Sequence, residues 1–233
     1  MNYIKELLFP KRCPVCDKII PGFRREICAD CVGKPKPVKE PWCCLCGKPV
    51  KTSEEEYCYD CSRRKHCFTR GRSVFTYDSM AASLYRFKYG GRQEYGAYYG
   101  QAAAELLQKE KELRRADALI PVPLHKTRLR KRGYNQAAVF ARELGKAWKI
   151  PVYEDLVIRC RNTQPLKMLN PSQRQNNLKK AFKIAQNDVK LNTIIIIDDI
   201  YTTGSTIDAV SAVFLQAGVH TVYFVTLAAG KGL

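Results

Sequence analysis

Two groups of residues in this 233-residue chain have types and spacings that could do chemistry. One is the acid pair Asp198-Asp199, followed two residues later by the run Thr202-Thr203-Gly204-Ser205-Thr206. Adjacent carboxylates can hold sugar hydroxyls or a divalent cation. A glycine among small hydroxyl residues lets an anion approach the backbone closely and offers it extra donors. A phosphorylated sugar with Mg2+ suits both halves. The other group is a repeat in which Cys13, Cys16, Cys28 and Cys31 recur as Cys43, Cys46, Cys58 and Cys61, each displaced by 30 positions. Each C-x-x-C places two thiolates on one knuckle, and two knuckles close a tetrahedral four-cysteine zinc site in which no position remains for water, so the zinc is structural. Sequential pairing with one zinc per repeat is simplest, although spacing leaves an interleaved arrangement open. A redox role would need one such motif rather than four in register. Cys44, Cys67 and Cys160 have no second knuckle and read as spare, as does His66 beside Cys67.

The elements that must position the acid pair follow from periodicity. Ile194 to Ile197 form an uninterrupted apolar run, the pattern of a strand buried on both faces and ending at the two acids. Ile207, Val210, Val213 and Phe214 then mark a helix. In a parallel α/β sheet this strand, loop and helix would point unpaired backbone N–H groups at a ligand beyond the strand's carboxyl end. Upstream, Ala116 to Pro123 predicts a strand ending near Val122, and a helix follows over 135–148. Between them lies a loop carrying His125, Lys126, Arg128, Arg130, Lys131 and Arg132. Val152 to Ile158 predicts a further strand, Val219 to Leu227 a last one, and the polar stretch over 159–182 a lid. Nearer the N-terminus, Ser73 to Tyr77 suits a strand and Met80 to Tyr89 a helix, which Gly90-Gly91 breaks before a second helix from about Tyr95. Tyrosines interleaved with Arg86, Lys88 and Arg92 are chemically able to stack single-stranded bases, though such residues more often pack helices together.

A hydrophobic content of 45% marks a folded chain, and its length suits one α/β domain with a smaller module. No apolar run approaches a membrane span, and MNYIKELLFPKRC carries charge where a signal peptide needs its apolar core, so the expected location is cytoplasmic. The formal charge of +18 is unevenly placed: residues 114–190 hold 18 basic against 5 acidic side chains, and residues 1–72 hold 16 against 9. Such surfaces attract polyanions, whether nucleic acid, anionic lipid or a highly charged small substrate.

Hydrophobic strand, Asp-Asp, two residues and Thr-Thr-Gly-x-Thr together resemble the phosphoribosyl-diphosphate (PRPP) loop of type I phosphoribosyltransferases. The resemblance implies that Asp198 and Asp199 are the catalytic acids, holding the ribose 2′ and 3′ hydroxyls. It places Thr202, Thr203, Gly204, Ser205 and Thr206 around the 5′-phosphate. By the same likeness Leu124, His125, Lys126 and Arg128 form the pyrophosphate loop, and Gln164 and Arg174 reach the ligand from the lid.

Taken as a whole, the cysteine repeat beside LLFP, FKYGGR, PVPLHKTRLRKRGYNQA, the TQ-PL-R-N pattern through Asn177 and IIIIDDIYTTGST are similar to the ComF/ComFC family. This implies an α/β fold with a parallel, helix-flanked sheet of the type I phosphoribosyltransferase kind and a small N-terminal zinc-ribbon module with four-cysteine sites. The implied division is a double zinc ribbon over 1–67 and a transferase-like domain over 68–233, with a hood at 73–113 and a core at 116–233. Also implied are two structural Zn2+ ions, Mg2+ bound with PRPP, and a role in natural transformation. The expected partners are single-stranded DNA and a competence helicase-type protein, at the inner face of the membrane with peripheral attachment. Two other functions stay open: nucleobase salvage with an acceptor that no motif names, and a non-catalytic regulator that senses PRPP.

Overall fold

The structure is a computed structural model that describes residues 10–20, 26–160, 181–185 and 189–230. Its centre is a four-stranded, all-parallel sheet built from β1 (Arg70–Thr76), β2 (Ala118–Pro121), β5 (Thr193–Tyr201) and β6 (Thr221–Ala229), in the order β1-β6-β5-β2. The isoleucine run explains why β5 lies inside this sheet. Ile195 and Ile197 enter one hydrophobic core and Ile194 and Ile196 the core on the opposite face.

Helices cover both faces. A first core takes residues from α2 (Tyr77–Tyr89), α3 (Tyr95–Leu106) and α5 (Gln136–Trp148), including Leu84, Phe87, Tyr99, Phe140 and Leu144. Gly96 and Gly100 let α3 pack tightly on α5, since a Cβ at Gly96 would lie 2.3 Å from Val139 Cγ1. The second core takes Ile207, Val210 and Phe214 of α6 (Ser205–Gln216). No helix among the described residues is long and apolar enough to cross a membrane.

The structure departs from the sequence-based expectations at two places. Val152 makes only a single parallel bridge to Leu119, and the expected strand over Val152 to Ile158 shrinks to β3 (Val157–Arg159). That strand leaves the main sheet and pairs antiparallel with β4 (Phe182–Ile184), with Ile158 and Lys183 exposed and Val157, Phe182 and Ile184 packed on the second core. The basic loop after β2 is a short helix, α4 (Lys126–Arg132), which starts at His125, whose Nδ1 accepts from Thr127 N at 3.3 Å, and stops at Gly133 with φ +81°. The strand expected at Ser73 to Tyr77 is present as β1, at an edge of the main sheet, where the Ser73 hydroxyl meets that of Thr226 at 2.7 Å.

N-terminal to the sheet lie two copies of one small hairpin. Arg12 bridges Ile19 and Trp42 bridges Pro49, and the N–H of Cys13 and of Cys43 donates to the carbonyl of Lys18 and of Lys48. A left-handed residue closes each knuckle, Asp17 at φ +64° and Gly47 at φ +70°. The second copy ends in the five-residue helix α1 (Tyr59–Arg63). Between the copies, residues 36–38 run antiparallel along the free edge of β1. Val38 N donates to Val74 O at 3.0 Å and Thr76 N to Lys36 O at 2.9 Å.

Candidate ligand site at the carboxyl edge of the sheet

Strand β2 stops at Pro121, opposite Ile197, while β5 runs on through Asp198 and Asp199 to Tyr201. The acids therefore sit inside a strand that has outrun its neighbour β2, not at its end. The alternation of the strand shifts across them, because Ile200 joins the core entered by Ile195 and Ile197, and Tyr201 joins the other. Asp199 N–H donates to Asp198 Oδ1 at 2.8 Å. Burial, and after it the charge of Asp199, pushes the Asp198 carboxyl up to about 7.

Two cations act on the pair, and a third, Arg128, acts on one of them, Arg159. Lys88 Nζ, near the end of α2, lies 3.0 Å from Asp199 Oδ2. Arg159, the last residue of β3, acts on Asp198, and burial pushes its guanidinium down to about 10. Arg128 of α4 is also lowered, first by burial and then by the neighbouring charge of Arg132. The sequence alone does not mark Lys88 or Arg159 as residues of this site. FKYGGR holds a signal for Lys88, a cation just before a glycine break, but nothing local ties it to residue 199.

Beyond Tyr201 the chain turns into α6 through Thr202 to Ser205. Gly204 is the N-cap, in the left-handed region at φ +78°, and no side chain caps the first turn. The first backbone N–H groups of α6 are thus offered outward, as an anion site requires. Thr203 Oγ1 and Ser205 Oγ lie 3.0 Å apart, and Thr202 is exposed. The structure brings this turn, the acid pair and Arg128 to one edge of the sheet. Lys126 is exposed, and Leu124 and His125 lie between β2 and α4 with His125 engaged in capping. Gln164 and Arg174 lie outside the described residues.

The cysteines resolve into two sequential clusters, Cys13, Cys16, Cys28 and Cys31, and Cys43, Cys46, Cys58 and Cys61. Within each, the four sulfurs lie within 4.8 Å of one another. Cys16 and Cys28 approach to 3.6 Å, as do Cys46 and Cys58. A tetrahedral zinc with bonds of about 2.3 Å needs sulfurs about 3.8 Å apart, so the donor sets fit the ion.

His66 departs from the sequence-based expectation, whereas the buried tyrosines follow the commoner one and pack helices together. Far from spare, His66 is tucked beneath Gly204, where a Cβ would meet its Cε1 at 3.0 Å and the Tyr201 hydroxyl at 2.7 Å. Tyr95 and Tyr99 are wholly buried and cannot stack on a ligand, whereas Tyr85 and Tyr89 are exposed, with Arg132 over the Tyr89 ring at 4.9 Å.

Both halves of the chain match known families. Residues 4–62 match the double zinc ribbon domain and residues 129–232 the phosphoribosyl transferase domain. Competence protein ComFC of Bacillus subtilis is 30% identical over 203 residues, covering 83% of this chain and 79% of that protein. The chain belongs to the ComF/ComFC family. A second ComF relative, Competence protein F of Haemophilus influenzae, is 27% identical over 225 residues, covering 92% of this chain and 95% of the relative. The DNA utilization protein YhgH of Escherichia coli K12 is 26% identical over 220 residues, covering 93% and 96%. Within this ComF/ComFC chain, both zinc-ribbon cysteine sets and the acid pair lie inside the matched segments.

Proposed function

We propose that this chain binds PRPP with Mg2+ at the carboxyl edge of its sheet and serves natural transformation by handling imported single-stranded DNA at the cytoplasmic side of the membrane. The observation that carries the reading is the uncapped first turn of α6, with Gly204 at φ +78°, directly after two acids on the central strand. The turn takes the 5′-phosphate through Thr202 to Thr206, and the acids take the ribose hydroxyls. Arg128, Lys126 and the segment at Leu124-His125 face the diphosphate, with Gln164 and Arg174 of the lid closing over it. Mg2+ bound with PRPP would neutralise diphosphate charge. Lys88 and Arg159 keep the two carboxylates from repelling an anionic ligand.

In a transfer reaction the bond from C1′ to the diphosphate oxygen breaks as an acceptor nitrogen bonds to C1′, and the leaving charge passes to the basic residues without covalent help from the protein. The competence role rests on the names of the relatives, Competence protein F and ComFC, and the DNA role on that of YhgH as well. The basic composition over 114–190 and the exposed Tyr85 and Tyr89 suit a single strand, and a helicase-type competence protein is the expected partner.

Calorimetric titration of the zinc-loaded protein with PRPP and Mg2+, repeated with short single-stranded DNA, tests the reading. PRPP binding that alters DNA affinity supports it, because coupling between two sites is reciprocal. Asp198→Asn with Asp199→Asn is expected to abolish PRPP binding with the fold intact, and unchanged affinity would remove the site assignment. PRPP binding without DNA binding, accompanied by base-dependent diphosphate release, would indicate salvage instead.

A further inference from the structure

The segment joining the second ribbon to β1 reaches into the proposed phosphate turn. His66 Nδ1 donates to Asp208 Oδ2 at 2.8 Å, and Cys67 N–H donates to Asp208 Oδ1 at 2.8 Å. Both oxygens of one carboxylate are thereby held by two consecutive residues 141 and 142 positions away in sequence. The His66 side chain is almost fully buried and stacks on Phe68 with centroids 4.7 Å apart. Phe68 in turn packs edge-on against Phe224 of β6 at 4.8 Å. The imidazole is thus fixed on one side by the sheet and on the other by Gly204.

Asp208 is the acidic residue of the first turn of α6, and its own N–H closes that turn on Gly204 O at 2.8 Å. An acid there favours an empty helix terminus, because it complements the dipole. It opposes an anion bound at the same terminus. We propose that His66 is a positioning residue for phosphate binding: it holds the Asp208 carboxylate away from the first-turn N–H groups and supports Gly204 from below. The second ribbon thereby becomes part of the ligand site, since residues 62–65 are all that separate His66 from the ligand cysteine Cys61. This rests on the 5′-phosphate reading of Thr202 to Thr206.

Ribose 5-phosphate is the probe, titrated calorimetrically into full-length, zinc-loaded protein whose metal content and melting temperature are recorded alongside. His66→Ala is expected to weaken binding about tenfold, the scale of a charge acting on a helix terminus. His66→Gln, which keeps a donor, is expected to lose less, and it carries the test if the alanine variant sheds zinc. The deciding comparison is His66→Ala with Asp208→Asn, expected to recover most of the lost affinity because the opposing charge is gone. A purely structural His66 would allow no such recovery, so a double variant as weak as the single overturns the proposal. So does His66→Ala binding as tightly as the parent. Absence of ribose 5-phosphate binding by the parent protein itself would instead strike the phosphate reading on which the proposal stands.

Discussion

The two ribbons carry the same thiols at the same spacing, yet they are used differently. In the second, all four cysteines are buried and enter the core that contains Ile194, Ile196, Tyr201 and Phe224 of the main sheet. In the first, Cys16 and Cys28 are only partly covered, and Cys13 and Cys31 form a satellite core with Ile20. Equivalent residues show the divergence. Lys48 and Asp60 form a buried ion pair at 2.8 Å, with Lys48 also 5.4 Å from the centre of the Tyr201 ring. Their counterparts 30 positions earlier, Lys18 and Asp30, are both exposed. The first ribbon is instead tied to α2 and α3 through polar contacts, with Asp17 receiving Arg92 at 2.8 Å and Tyr95 Oη at 2.5 Å. A metal site repeated in sequence has become core in one copy and a docked appendage in the other.

The largest expected separation comes from removing one ligand from each. Cys46→Ser should lose one zinc and destabilise the whole sheet, whereas Cys16→Ser should lose one zinc and leave the main melting transition near its parent value. Zinc quantification with calorimetric melting reads both, and equal losses of melting temperature would erase the distinction. Next in size, Lys48→Met strands Asp60 without its partner and should cost about 3–5 kcal/mol in denaturant unfolding, as for other broken buried pairs. Lys18→Met should stay within about 0.5 kcal/mol. Asp17→Asn retains a residue tolerant of the left-handed backbone but gives up the charge facing Arg92, with an expected loss of about 1 kcal/mol.

The acid pair, whose strand enters the same core as the second ribbon through Tyr201, adds a pH dependence. Because the folded Asp198 carboxyl is raised to about 7, the native state holds a proton that the unfolded chain releases near 4. Its stabilising contribution is full below about pH 4, falls as pH rises towards 7 and is flat above. The melting temperature of Asp198→Asn relative to the parent should therefore climb across that window. A constant difference from about pH 4 to 8 would show that Asp198 titrates as an ordinary surface acid.

Much of the fold was legible because its signals are local. The isoleucine run, the helix after Gly204 and the thirty-residue cysteine register each depend on neighbours in sequence, and β5, α6 and the two thiol clusters follow them. The proposed site was legible only where it is contiguous. Asp198 to Thr206 could be read directly, but Lys88 and Arg159 reach the acids from α2 and β3, and no periodicity records which helix end faces which strand end. His66 shows the same limit: beside an unpaired cysteine it looks incidental, and its value arises only from closure against Asp208. The strand expected at Val152 failed for a related reason. Apolar composition permits a strand, whereas a partner decides its sheet, and among the described residues Val152 makes a single bridge, to Leu119.

The short stretch at residues 36–38 also bears on whether the two halves of the chain can be separated. By pairing along β1 it occupies hydrogen-bonding groups that an open sheet margin would present to other molecules. Leu45 O adds a further cover by accepting from Gly71 N at 2.8 Å. A fragment beginning at β1 would retain the acid pair and the turn from Thr202 to Ser205 but expose a seven-residue strand rich in buried positions to its own copies. The ribbon segment thus acts as a guard against self-association, and the transferase-like half is soluble on its own only to the extent that something else covers that margin.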